Sequence, residues 1–249
     1  MANSSSGEKL LDRLVRVLEA FAPDRPELTV AQIAERADLP RTTAYRLVQD
    51  CLAVGFLTRQ HGTLRLGVRL WELANRASAT RDLRQVAMPF LEDLNQLLRQ
   101  HVQLSVLHED EVLILERHSR PGAAINNASV ASRLPVHRTS MGMVLLAFAP
   151  APVQAGYIGR HEGLLAARHG DVRRELAEIR RRGYATFDGL IDPTTTGAAA
   201  PVLGPDGAAV AAIGVVIPRD SDSLQVVAMA LMTAARGIGR ALQEGAAPN

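Results

Sequence analysis
A single cysteine, Cys51, stands in a chain of 249 residues, which excludes an intramolecular disulfide and a cysteine-based zinc cluster. No apolar run approaches the roughly 18 residues that a membrane-spanning helix needs. The opening Met-Ala-Asn-Ser-Ser-Ser-Gly-Glu-Lys lacks the apolar stretch of a signal peptide, and residues 1–9 read as a flexible tail. These absences point to a cytoplasmic protein with no membrane partner. The seven histidines contain neither an HExxH nor a His-x-His arrangement. Ser140 lies near His137 but has no G-x-S-x-G elbow around it. Thr194-Thr-Thr-Gly is too short for a Walker loop and lacks its lysine. His108-Glu109-Asp110-Glu111 has the side chains of a metal cluster, but it joins two β-rich runs and reads as a solvated hairpin turn. No catalytic residue, metal site or cofactor is expected.

What is present is a foldable composition, 47% hydrophobic and 22% charged, with its positive charge concentrated in one region. Between residues 39 and 81 seven arginines face only Asp50 and Glu72, a balance of +5, whereas residues 82–249 carry −1. A polyanion would be drawn to the N-terminal third.

That third reads as a small helical domain. Leu10 to Ala22 has Leu11, Leu14, Val15, Leu18 and Phe21 at helical spacing. Pro23 and Pro26 bracket the loop after it. Thr29 and Gln32 form a capping box, and Val30, Ile33, Ala34 and Ala37 give the next helix its inner face. Asp38-Leu39-Pro40 makes a turn, with Pro40 suited to open a helix. In that helix Ala44, Leu47, Val48 and Cys51 face inward. Thr42, Arg46 and Gln49 point the other way, with Thr43 and Tyr45 on the flanks and Arg41 at the leading end. Such hydroxyls bond phosphate oxygens, and an arginine bonds phosphate or the O6/N7 edge of guanine. Gly55 ends the helix, and residues 56–59 and 63–66 form a wing whose Arg59 and Arg65 can reach phosphates. Residues 67–81 read as a linker helix whose apolar residues, Leu70, Leu73, Ala74 and Ala77 with Trp71 beside them, call for a partner helix.

The remaining residues, 82–249, mix both kinds of element. Leu83 to Gln100 is expected as a long helix with Val86, Phe90, Leu94 and Leu97 inside. Residues 102–107 with 112–117, and 199–203 with 208–217, read as hairpins. Residues 139–148, 171–182 and 223–242 read as helices. Hairpins interleaved with helices predict an α+β domain, an antiparallel sheet with helices packed on it.

The segments Leu39-Pro-Arg-Thr-Thr-Ala-Tyr-Arg-Leu, Gly55-Phe-Leu and Leu64-Arg-Leu-Gly-Val-Arg-Leu-Trp-Glu-Leu-Ala closely resemble the winged helix-turn-helix of the isocitrate-lyase-regulator (IclR) family of bacterial transcription factors. The resemblance continues through Asp82-Leu-Arg, Arg133-Leu-Pro-Val-His-Arg-Thr-Ser-Met-Gly, Arg182-Gly-Tyr-Ala and Ala199-Ala-Pro-Val, from about residue 10 to 243. It implies a winged helix-turn-helix over 10–66, the linker helix, and a GAF-like effector-binding domain over 82–249. The function implied is a repressor or activator that binds operator DNA as a homodimer or dimer of dimers and responds to a small molecule. The effector site implied comprises Ser140 and Met141 at a helix start, Asp188, Gly197, Gly214 and Val216. Gly197, Gly214 and Val216 stand where relatives that sense small acids carry Cys or Ser, and Met143 replaces a common lysine. Polar anchors are lost and space is gained, which favours an aromatic or otherwise apolar carboxylic acid over glyoxylate or pyruvate. The alternative is that these residues only suit strand packing. Two rivals to a regulator stay open: a small-carboxylate enzyme with an attached winged helix, and a sensor or scaffold whose head no longer binds DNA.

Overall fold
The computed structural model describes residues 9–22, 24–76, 79–124, 128–221 and 223–245. The expected tail, apart from Lys9, and Pro23 and Ala77 lie outside them. No described helix is long and apolar enough to cross a membrane. The chain divides between Ala79 and Thr80 into two compact units.

The first unit contains α1 (Leu10–Glu19), α2 (Val30–Arg36), α3 (Arg41–Ala53), β1 (Leu57–Gln60), β2 (Thr63–Leu66) and α4 (Val68–Ala74). The capping box opens α2: Thr29 Oγ1 accepts from the Gln32 N–H at 3.3 Å, and Gln32 Oε1 accepts from the Thr29 N–H at 2.8 Å. Asp38 has a positive φ of 49°, and Pro40 follows as the N-cap of α3, one position before the helical start expected of it. Ala44, Leu47, Val48 and Cys51 of α3 pack with Ile33, Ala34 and Ala37 into one core. The wing turns on His61 and Gly62, both at positive φ, as a two-residue hairpin of type I′ requires. Leu28 adds a third strand position by exchanging both backbone hydrogen bonds with Leu64.

Two expectations for this unit need correction. In α1 the buried residue is Val17, whereas Leu11 and Val15 are exposed. The apolar stripe is wider than the small core it meets, so Leu14, Leu18 and Phe21 are only partly covered. The helix expected over 67–81 is not continuous. The Asn75 backbone N–H and side-chain amide both donate to the Trp71 carbonyl, α4 stops at Ala74, and the next helix starts at Ala79. No residue of α4 is buried, and Val68 and Trp71 are each 66% exposed.

The second unit contains α5 (Ala79–Leu98), β3 (His101–His108), β4 (Glu111–His118), β5 (Arg133–Pro135), α6 (Ser140–Ala147), α7 (Ala151–His169), α8 (Val172–Arg182), β6 (Ala185–Asp188), β7 (Thr195–Leu203), β8 (Ala209–Pro218) and α9 (Leu224–Gly245). Among the described residues its strands form one six-stranded antiparallel sheet in the order β5-β4-β3-β8-β7-β6. Alternation along each strand splits the core in two. Ala198, Ala200, Val202, Ile213 and Val215 face α5 and α9, whereas Ala199 and Ala212 face α6, α7 and α8. The sheet is thus the middle of three layers.

The buried stripe of α5 is Leu83, Ala87, Leu91 and Leu94, rotated from the expected one, and Leu97 is 68% exposed. α7 escapes sequence reading because it carries three glycines, bends at His161 and buries only Tyr157, Ile158 and Leu165. The expected solvated turn before β4 holds Asp110, whose carboxylate accepts from Arg160 of α7 at 2.6 and 2.8 Å and contacts His161 at 3.0 Å.

Candidate DNA-binding face and effector pocket
On α3, Thr42, Tyr45, Arg46 and Gln49 fall at i, i+3, i+4 and i+7 and form one row opposite the buried side. Arg41, Thr42, Tyr45 and Arg46 are exposed, and Thr43 and Gln49 are half-buried. The row is polar, cationic and free of carboxylates until Asp50. The wing's two arginines differ. Register pairs Arg59 with Leu64 and Arg65 with Thr58, so the two side chains lie on opposite faces of the ribbon. Arg65 donates to the Glu27 carboxylate, which also accepts from Thr63 Oγ1 at 2.9 Å. The hydrogen bond from Arg65 is the chief reason the Glu27 carboxyl titrates below its ordinary range. Arg59 has no ion pair among the described residues.

In the second unit a cavity of about 70 Å³ opens between the sheet and the start of α6. Thr139 caps α6 by accepting from the Gly142 N–H at 2.9 Å, which leaves the N–H groups of Ser140 and Met141 with no carbonyl in their own helix. Such groups attract anions. Among the described lining residues Arg138 is the only charged one, and it donates to the Leu190 carbonyl at 3.3 Å. Most of the wall is apolar, from Leu134, Met141, Phe187, Leu190, Ile191 and Val216, with Gln103 and Thr195 as polar positions in it.

Of the effector residues named from sequence, Ser140, Met141, Gly197, Gly214 and Val216 line this cavity. Asp188 does not. It pairs in register with Thr196, accepts from the Thr196 hydroxyl at 2.5 Å and is exposed. Strand alternation turns the preceding Phe187 inward instead, so an apolar ring occupies the wall. The space expected at the two glycines is also revised. A Cβ at Gly197 would lie 2.7 Å from Ser140 Oγ, and one at Gly214 would lie 2.7 Å from Met141 Cγ. The missing side chains let α6 approach the sheet, and Ser140 uses that approach to donate to the Gly197 carbonyl at 2.7 Å. Met143 is fully buried in the core beneath α6. Gln103, Arg138, Thr195, Leu190 and Ile191 were not anticipated as lining residues.

A profile of the helix-turn-helix domain of IclR matches residues 10–61, and one described as bacterial transcriptional regulator IclR C-terminal matches residues 76–240. The chain belongs to the IclR family. An IclR homolog from Microbacterium hydrocarbonoxydans, crystallised with 4-hydroxybenzoate, is 41% identical, with a TM-score of 0.85 over 95% of this chain and 100% of that one. The Pca regulon regulatory protein of Pseudomonas putida is 26% identical over 213 residues, 82% of this chain and 72% of that protein. The p-hydroxybenzoate hydroxylase transcriptional activator of Acinetobacter baylyi is 31% identical over 150 residues, 58% of this chain and 55% of that protein. This IclR regulator is therefore a DNA-binding transcriptional regulator with a winged helix-turn-helix and a C-terminal effector-binding domain.

Behind the pocket of this IclR protein, His169 braces the 3₁₀ turn Val136–Arg138 that leads into α6. Its ring is 2% exposed, with Nδ1 2.6 Å from Glu175 and Nε2 2.8 Å from the His137 carbonyl. Burial opposes the charged ring, but the Glu175 carboxylate and the His137 carbonyl outweigh it and raise the pKa. A raised folded-state value means that stabilisation is fully present below the unfolded pKa, about 6.5, and is lost as pH rises through the folded value. An NMR titration is expected to place His169 above 6.5, with the melting temperature falling across the same interval. A His169 pKa at or below that of a free histidine would refute the brace.

Proposed function
We propose that the effector is an aromatic or comparably apolar carboxylic acid, and that its binding alters operator affinity through a homodimer. One observation carries the effector class: among the described residues the cavity joins largely apolar walls to one anion-attracting end, the first turn of α6 with Arg138. The carboxylate lies at the Ser140 and Met141 amides, and the apolar body lies against Phe187, Leu190 and Val216. The relatives' connection with hydroxybenzoate supports this reading. Thermal shift with 4-hydroxybenzoate and benzoate against glyoxylate and pyruvate tests it. Preferential stabilisation by either oxo-acid would overturn it. The same aromatic acids, added to a gel shift with the promoter beside the gene, are expected to change operator binding.

The exposed apolar residues of α4 and α1, Val68, Trp71, Leu10 and Leu11, support a second copy as their cover. Two heads related by a two-fold axis fit a roughly palindromic operator. Light scattering on the full chain distinguishes a dimer or tetramer from a monomer, and the last outcome would sink the two-headed scheme.

In this scheme α3 enters the major groove with Arg41, Thr42, Thr43, Tyr45, Arg46 and Gln49, while Arg59 reaches a phosphate and Arg65 lies beside the backbone already paired with Glu27. Arg46→Ala is expected to cost about 1–3 kcal/mol of operator binding, with relaxed preference at one base pair. Arg59→Ala should instead weaken all sequences alike. A gel-shift series over operator variants separates the two patterns. Unchanged binding by Arg46→Ala would remove that residue from the interface.

A further inference from the structure
Gln103 is a polar side chain where a buried strand ordinarily carries an aliphatic one. Its neighbours Val102 and Leu104 pack beneath α5 and α9, so alternation turns Gln103 to the opposite face, toward α6 and the cavity it lines. It is 2% exposed, and its Nε2 makes no hydrogen bond among the described residues. Folded proteins keep few such groups, because an unpaired buried donor forfeits its hydration with nothing in exchange. An unpaired amide in the wall of a cavity is a donor that a bound molecule can satisfy.

Register fixes where that donor lies relative to the anion-attracting end. Gln103 pairs with Gly214 on β8, and Gly214 pairs with Ala199 on β7. Gly197, beneath Ser140, is two residues before Ala199 on β7. Two interstrand steps and one two-residue step separate the Cα atoms of Gln103 and Gly197 by about 12 Å. Met141 lies over Gly214 between these ends, and a thioether on a flexible chain is a wall that can repack. A two- or three-carbon oxo-acid engages one end only. A benzene ring carrying a carboxylate and a para oxygen engages both.

Resting on the aromatic-acid reading, we propose that Gln103 is a specificity-determining residue that donates a hydrogen bond to an acceptor on the ring, remote from the carboxylate. The effector class narrows to ring-hydroxylated aromatic acids. A site built to hydrogen-bond a hydroxyl discriminates against the analogue that lacks it, because the protein's polar group is then left unpaired.

The test is calorimetric titration of the full chain with 4-hydroxybenzoate and benzoate, in wild type and Gln103→Met. Wild type should prefer 4-hydroxybenzoate by about tenfold or more. Gln103→Met should bind the two acids almost equally, and should melt at a higher temperature without ligand because the unpaired amide is gone. A preference that survives the substitution, or an equal loss for both acids, overturns the role of Gln103 while the aromatic-acid reading stands. Binding of neither acid by wild type overturns both. 4-Methylbenzoate against wild type needs no variant: affinity equal to that of 4-hydroxybenzoate overturns the proposal.

Discussion

Gly142→Ala is expected to melt roughly 10 °C below wild type and to lose effector binding, from a cost of about 3 kcal/mol spread over a unit of this size. A Cβ at this position would overlap the carbonyl oxygen and Cα of Val136 and lie 2.8 Å from Thr139 Oγ1. None of these atoms is the far end of a flexible side chain. Val136 belongs to the turn that His169 braces, and Thr139 is the cap of α6, so both are held from behind. The helix must therefore lift, which moves the Ser140 and Met141 amides away from their place over Gly197. Thermal melts and calorimetry with 4-hydroxybenzoate check both parts. An unchanged melting temperature would show that the first turn of α6 yields more readily than its contacts imply.

Leu47→Ala is expected to abolish operator binding while leaving effector affinity intact. Leu47 is 2% exposed, in the core where α2 meets α3. Truncating a buried leucine costs about 2–5 kcal/mol. A head of some 70 residues buries little apolar surface to absorb that loss. The second unit has its own two cores, so its cavity does not depend on Leu47. Gel shift and calorimetry on the same preparation separate the effects. Loss of effector binding together with DNA binding would mean that the two units do not fold independently.

The legibility of the sequence varied with how much one residue's neighbours constrain it. The inward side of α3 follows from a 3.6-residue period, and Ala44, Leu47, Val48 and Cys51 are all buried. The six-stranded sheet was legible only in its two long hairpins, because β5 and β6 have three and four residues and no alternation to read. The error at Asp188 is one of parity, since a single step along β6 exchanges the exposed carboxylate for the Phe187 ring. At Gly197 and Gly214 the absence of side chains was plain, but only packing shows that Ser140 and Met141 occupy the room. Gln103 carried a readable signal: in His101-Val-Gln-Leu-Ser-Val the polar residues share one face, and a helix covers that face. α7 carried almost none, because its glycines dilute the apolar spacing on which a helical reading depends.

The pairing of Arg65 with Glu27 bears on the ionic-strength response of DNA binding. Binding to a polyanion gains free energy when protein cations replace ions condensed on the phosphates, and each such replacement steepens the dependence on salt. Arg65 brings its own anion, a carboxylate fixed to the same unit, whose pKa the pairing lowers further. A phosphate that took Arg65 would strand Glu27 beside the duplex, so the replacement returns little. In the proposed DNA complex, Arg59 is then the wing arginine expected to supply a full share of counterion release. The wing is therefore expected to contribute closer to one unit than two to the salt slope, with Arg65 and Thr63 tying the ribbon to Glu27 instead.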